Sequence, residues 1–318
     1  MKNTGIHHIS TLIGDIRTSY NFYHNILGMK LILKTVNQDD STMYHLFFGD
    51  ETGRAGTEFT IFEMKNYPEN KFGTNAIERT YFLVKSEESI KYWEERLESF
   101  DVCHYGIEEY NGKKILRFED SDGMKLGFVY KDTDMKEMDP YVHPDINPEH
   151  AILGIGEVHF RVRYTEPTEQ ILTNFFEFEK YNEIVDNDFK VSLLKIKDNP
   201  FGHEIHIIED KKSQTSFNGV GGIHHIAFGV ESIEDLELLQ QKLDDKNFTS
   251  SGIVDREFIK SSYFRDPNFL LFEVATPLTK EKKDLPEQNK PFDEIPLFLP
   301  DFLEHDRQVI ETNVDYKF

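Results

Sequence analysis

The sequence predicts an α+β fold of four βαβββ modules paired into two half-open barrels, and three observations carry that prediction. Residues Gly5 to Ile9 read Gly-Ile-His-His-Ile, and residues Gly222 to Ile226 read the same five residues again. A strand, a helix and three further strands recur about every seventy to eighty residues. One such module cannot close its own sheet, whereas pairing two of them covers the open edges around a concave interior.

Each module opens with an alternating apolar strand: Ile6–Ile13, Thr80–Val84, Val158–Val162 and Ile223–Val230. Helical spacing follows. Asp15–Gly28 sets Ile16, Tyr20, Tyr23 and Leu27 on one face, Glu87–Phe100 does so with Ile90, Trp93 and Leu97, and Glu234–Leu243 with Leu236, Leu239 and Leu243. Pro167–Phe178 is a weaker version, with Ile171, Leu172, Phe175 and Phe176. Short strands separated by polar or Gly-containing turns complete each module; in the first they are Lys30–Thr35, Met43–Phe48 and Thr57–Phe62. Residues 1–131 thus hold modules 1 and 2 (1–65 and 76–131), 132–150 form a linker, and 151–277 hold modules 3 and 4 (151–210 and 219–277). The tail, 278–318, carries a charged run at Lys280–Asp284 and a last helix over Asp301–Thr312, suited to packing on a barrel or on a partner subunit, which leaves a homo-oligomer open.

Composition bounds the function. With 36 Lys and Arg against 58 Asp and Glu, the net charge of −22 opposes nucleic acid and anionic membrane surfaces as partners. The single cysteine, Cys103, excludes internal disulfides and thiolate metal clusters and fits a reducing compartment. Without a signal-peptide pattern or an apolar run of membrane-spanning length, the expectation is a cytoplasmic protein.

The duplicated frame places His8 and His225 at the same position of two equivalent first strands, so a pseudo-two-fold axis would bring them face to face. Strand alternation points one histidine of each pair inward and the other outward or sideways. Glu273, in Leu270-Leu271-Phe272-Glu273-Val274, is a carboxylate in an otherwise apolar last strand. Such a group is costly to bury unless a cation or proton offsets it. Two His and one carboxylate with open positions is the arrangement of non-haem Fe(II) oxygenases, and Mn(II) accepts the same ligands. Glu63, in Thr60-Ile61-Phe62-Glu63-Met64, reads as the first module's counterpart of Glu273, in the role of fourth ligand, orienting acceptor or rim residue.

Asp15…Phe22-Tyr23…Leu27-Gly28-Met29-Lys30-Leu31 resembles the helix-to-strand signature of the vicinal oxygen chelate superfamily, which includes glyoxalases, bleomycin-binding proteins and extradiol dioxygenases. Over its whole length the chain is similar to ring-cleaving dioxygenases that open hydroquinones. The matching residues are Ile6-His7-His8-Ile9, Tyr44-His45-Leu46, Gly222-Ile223-His224-His225, Arg256 followed by Ser261-Ser262-Tyr263, and Phe272-Glu273. That resemblance implies Fe(II) held by His8, His225 and Glu273, with His7, His224, Arg256 and Tyr263 lining the pocket for a small aromatic diol that reacts with O2. In this reading His224 or Tyr263 moves a proton and Arg256 offsets anionic charge. Tyr44 and His45 are weaker candidates for the cavity wall. Modules 2 and 3 carry Arg79 and Glu157 where His8 and His225 stand, and Phe128 near the Glu273 position, so modules 1 and 4 are expected to form the metal-containing barrel. Three other readings compete. A glyoxalase-like lyase would need Glu63 as fourth ligand. A catechol extradiol dioxygenase would draw its ligands from the two C-terminal modules, and a metal-free aromatic-binding protein would not need them.

Overall fold

Two eight-stranded sheets dominate the computed structural model, which describes residues 3–131, 137–277, 286–288 and 290–315. Module 1 supplies β1 (Asn3–Ile13), β2 (Lys30–Val36), β3 (Tyr44–Gly49) and β4 (Glu58–Glu63), and module 2 supplies β5 (Ala76–Val84), β6 (His104–Tyr110), β7 (Lys113–Glu119) and β8 (Lys125–Tyr130). Module 3 supplies β9 (Gly154–Val162), β10 (Phe178–Asp186), β11 (Phe189–Ile196) and β12 (Glu204–Glu209). Module 4 supplies β13 (Gly222–Val230), β14 (Ser250–Asp255), β15 (Lys260–Arg265) and β16 (Leu271–Ala275). One sheet runs β14-β15-β16-β13-β1-β4-β3-β2 and the other β10-β11-β12-β9-β5-β8-β7-β6. Modules 1 and 4 therefore share one curled sheet and modules 2 and 3 the other. Each is joined through its first strands, β1 antiparallel to β13 and β5 antiparallel to β9.

The helices follow their apolar spacing. In α2 (Glu87–Ser99) Ile90, Trp93 and Leu97 are buried, in α3 (Thr165–Phe176) Ile171, Leu172, Phe175 and Phe176, and in α4 (Ile233–Asp245) Leu236, Leu239 and Leu243. The first module departs from a regular helix. A short α1 (Ile16–Tyr20) widens into a π-helical turn over Asn21–Ile26, in which Leu27 N–H reaches Phe22 O. The extra residue in that turn lets Phe22, Tyr23, Ile26 and Leu27 all face inward.

One apolar core joins both sheets. Phe22 meets Phe118 and Phe59 meets Phe82 between modules 1 and 2, and Phe176 stacks on Phe228 at 4.0 Å between modules 3 and 4. Chain neighbours thus pack through helices and core rings, while the sheets are completed by sequence-distant modules. The tail lies against module 1: Lys34 Nζ donates to Phe292 O and Ile295 O, and Phe298 N–H to Lys34 O. Its 3-10 turn at Asp301–Asp306 leads into α5 (Arg307–Asp315), with Ile310 and Val314 buried. The Lys280–Asp284 run lies outside the described residues. Among the described residues no helix is long and apolar enough to cross a membrane.

Candidate metal centre

The two Gly-Ile-His-His-Ile frames lie on adjacent central strands of one sheet. Gly5 begins the first in the left-handed region (φ +91°), where a side chain would collide with His203 and Asn199, so glycine is required there. His203, a buried imidazole whose pKa burial pushes down to about 3, accepts the next backbone N–H, that of Ile6, at 3.0 Å. Pairing slips between Ile6 and His8, a bulge in the β1–β13 ladder.

Histidine alternation fails in the expected form, because both members of the first pair are buried and each pair is internally bonded. His7 Nδ1 lies 3.0 Å from His8 Nδ1, and His224 Nδ1 lies 2.8 Å from His225 Nδ1. With the hydrogen on Nδ1 of His8 and of His225, both Nε2 lone pairs are left facing a common point.

Glu273 faces that point. Its Oε2 is 3.1 Å from His8 Nε2 and 2.9 Å from His225 Nε2, and the two Nε2 atoms are 3.4 Å apart. Ligand atoms ~2.1 Å from one ion at right angles would lie about 3.0 Å apart, so the three donors suit a face of an octahedral site. All three side chains are buried: Glu273 is 1% exposed, His225 4% and His8 5%. Although close, neither imidazole is angled to hydrogen-bond the carboxylate, and both Glu273 oxygens lack a hydrogen-bond partner. Burial keeps His225 below its ordinary pKa and pushes His224 down to about 3. A carboxylate buried this deeply without a hydrogen-bond donor suits a cation, and a divalent ion among these three donors would supply one.

The donors stand in the wall of a cavity of about 670 Å³. His224, Tyr263, Arg256, His45 and Ser10 also line it; His7 does not, and sits behind His8 with Nδ1 3.9 Å from Glu58 Oε2. Tyr263 is the cross-strand neighbour of Glu273, and its ring meets the edge of His225 at 5.6 Å. Burial, then the Glu273 charge, push its phenol well up, so it remains an O–H donor. Arg256 is tied to Asp39 by two 2.9 Å bonds that join module 4 to module 1 across the cavity mouth. Burial opposes its charge, and the Asp39 pairing overcomes this to raise its pKa. His45 bonds Thr60 Oγ1 at 3.0 Å, Thr60 in turn meets Ser10 Oγ at 2.7 Å, and the imidazole stacks on Phe62. Tyr44 is turned away from the cavity, its hydroxyl donating to Asp315 in the tail.

Strand register corrects two assignments. Ala227 pairs with Glu273, and the equivalent Ser10 pairs with Thr60, so Thr60 rather than Glu63 is the first module's counterpart of Glu273. Glu63, three residues on, accepts from Ile16 N–H at 3.1 Å at the start of α1 and lies 3.6 Å from Lys65. In module 2 the equivalent of Glu273 is Gly127, facing Tyr81, and not Phe128. Counting along the chain from the duplicated histidines does not find Thr60, because it lies 52 residues after His8 while Glu273 lies 48 after His225. Nothing local marks Asp39, a turn residue whose partner is 217 positions away.

The other barrel holds Arg79 at the His8 position and Glu157 at the His225 position, as the sequence indicates, yet it is not bare of ligand-type groups. Glu157, His159 and His206 gather there. Glu157 Oε2 lies 3.1 Å from His206 Nδ1 and 3.4 Å from His159 Nε2, while His206 Nε2 lies 3.0 Å from Glu204 Oε2 and its Nδ1 3.0 Å from the Tyr110 hydroxyl. Both nitrogens of His206 are thereby engaged by side chains.

A family model described as the glyoxalase/bleomycin resistance protein/dioxygenase superfamily matches residues 5–128 and 154–274. A Bacillus subtilis (strain 168) protein named as a ring-cleaving dioxygenase, MhqA, is 37% identical over 317 residues, covering 99% of each chain. A chlorohydroquinone/hydroquinone 1,2-dioxygenase of Sphingobium indicum is 25% identical over 89% of this chain and 88% of its own. A crystal structure named as that of a Bacillus subtilis dioxygenase superposes with a TM-score of 0.86 at 28% identity, covering 98% of this chain and 96% of that one.

Proposed function

Because the chain belongs to the glyoxalase/bleomycin resistance protein/dioxygenase superfamily, we propose that it is an Fe(II)-dependent ring-cleaving dioxygenase that opens hydroquinone-type aromatics with O2. The observation that carries this reading is the convergence of His8 Nε2, His225 Nε2 and Glu273 Oε2, with an orphaned carboxylate, in the wall of a ligand-sized cavity. The names of the relatives support the reaction class and the diol.

Fe(II) held by His8, His225 and Glu273 would supply the redox chemistry that lets a closed-shell ring react with O2, and Mn(II) suits the same donors. The protein's own groups do the rest. His7 and His224, through their Nδ1 contacts, hold the two ligand rings in the productive tautomer. His224 accepts at Nδ1, so its neutral ring carries the hydrogen on Nε2 and can donate it to a diol oxygen in the cavity. Tyr263, kept as a phenol, donates a hydrogen bond to oxygen that becomes anionic, and Arg256, aimed by Asp39, adds fixed positive charge at the mouth. The stacked His45 and Phe62 offer a flat wall for an aromatic ring. A four-ligand lyase reading loses support because Glu63 is committed to capping α1.

Metal analysis of protein purified without oxygen, followed by an oxygen-electrode trace with methylhydroquinone, tests the proposal. About one Fe per chain and O2 uptake that stops on chelation are expected. Turnover of the diol in strict anaerobiosis, or metal-loaded protein inert to every hydroquinone, would sink it.

A further inference from the structure

We propose that the cavity is built for a hydroquinone bearing a bulky apolar substituent, an alkyl chain of about six carbons or a second ring, rather than for a bare one-ring diol. The inference rests on the dioxygenase reading for the identity of the diol head, and on the cavity alone for the tail. A dihydroxybenzene fills roughly 140 Å³ at the packing density of organic crystals, about a fifth of the space. The 670 Å³ cavity would then keep room for roughly 18 waters at about 30 Å³ each.

The cavity has walls of both kinds: His224 and Tyr263 stand beside the three donors, while Leu33 and Val36 of β2, Met43, Phe47 and Phe258 add apolar surface. In the sheet β3, which carries Phe47, lies two strands from β1, and β2, with Leu33 and Val36, lies three, so this wall runs out to about 14 Å along the curved surface from His8. A single ring held at the donors does not span it. Arg256 clasps Asp39, and Gln38 Nε2 donates to Arg256 O at 3.1 Å, so a module 1 loop and a module 4 loop meet across the mouth and partly enclose the space. Apolar wall that the head group leaves uncovered is a place for a tail.

Anaerobic titration calorimetry of the metal-loaded full chain with 2-methylhydroquinone and 2-hexylhydroquinone is the test. Each buried methylene is worth about fourfold in affinity. Ordering the chain offsets part of this, so the hexyl compound should bind at least about tenfold tighter. Equal or weaker binding of the hexyl compound overturns the inference. Val36→Trp, which fills the far wall, should cut the hexyl-to-methyl affinity ratio at least about fivefold; a folded variant with the ratio unchanged also overturns it. The oxygen electrode separates the two readings. Tight hexylhydroquinone binding without O2 uptake keeps the tail site and removes the dioxygenase, whereas O2 uptake with methylhydroquinone and no gain from hexyl does the reverse.

Discussion

The two barrels share one strand order and one register, and they part at a handful of positions on their central strands. Where the barrel of modules 1 and 4 has Ser10 and Ala227, the barrel of modules 2 and 3 has Tyr81 and His159. Small side chains beside the axis leave space, and large ones fill it. In the second barrel Arg117 donates to the Tyr81 hydroxyl, Arg79 donates to Leu126 O, and His206 is held by Glu157, Tyr110 and Glu204. Each of these donors has a protein acceptor. In the first barrel both Glu273 oxygens lack a hydrogen-bond donor, and a cation is the partner that would suit them. The difference teaches that a duplicated fold specialises through side-chain volume and the completion of polar pairs, with the backbone unchanged.

The sharpest way to break the comparison is a matched pair of substitutions. Glu273→Gln should lower metal content and turnover by at least about a hundredfold, since it removes one of the three proposed ligands. It should also raise the melting temperature of the metal-free protein, because an unpaired buried carboxylate disappears. Glu157→Gln should leave metal content and turnover within about twofold; comparable losses from both would mean the second barrel also binds a metal that matters. Metal titration of wild-type protein should saturate near one ion per chain, and two would tell against the assignment of the second cluster as a filled interior.

A smaller effect is expected on stability alone. Glu78 on β5 takes bidentate bonds from Arg161 at 3.0 and 3.1 Å and one from Lys125 at 2.9 Å. Glu78→Gln should cost about 3 kcal/mol in denaturant unfolding, with turnover per folded molecule little changed. Burial opposes ionisation of Glu78, but Lys125 and Arg161 prevail and bring its pKa down to about 2. A depressed carboxyl stabilises the fold above its unfolded pKa, so this contribution is full above pH 4.5 and falls as pH drops from 4.5 towards 2. In Glu78→Gln that part of the acid-side slope should vanish; an unchanged slope would mean that the network does not carry it.

The smallest effect concerns the mouth. Asp39 is 72% exposed at its side chain, so Asp39→Asn should change stability by less than about 1 kcal/mol. By releasing Arg256 it should raise KM several-fold more than it lowers kcat, read from initial rates on a hydroquinone.

Much of this was legible before any coordinates. The four modules, the faces of α2, α3 and α4, and the pairing of module 1 with module 4 follow from apolar spacing and from one five-residue repeat. Those signals are local, or copied, and so survive in a single sequence. What stayed hidden depended on register and distance. Glu63 looked like the partner of Glu273 because both follow a phenylalanine, yet strand pairing gives that place to Thr60. The bulge after Ile6 brings His7 and His8 into contact, against the alternation that a regular strand imposes.

By itself, then, the sequence determined which side chains are available and on which strands they ride, since hydrophobic periodicity is a property of neighbours along the chain. Only the tertiary structure decided that His8, His225 and Glu273 share a point in space, that Asp39 aims Arg256, and that one barrel is hollow while the other is filled. Those outcomes are set by contacts between residues as far as 265 positions apart, His8 and Glu273, where a slip of one residue or a change in one side chain's volume alters what meets what.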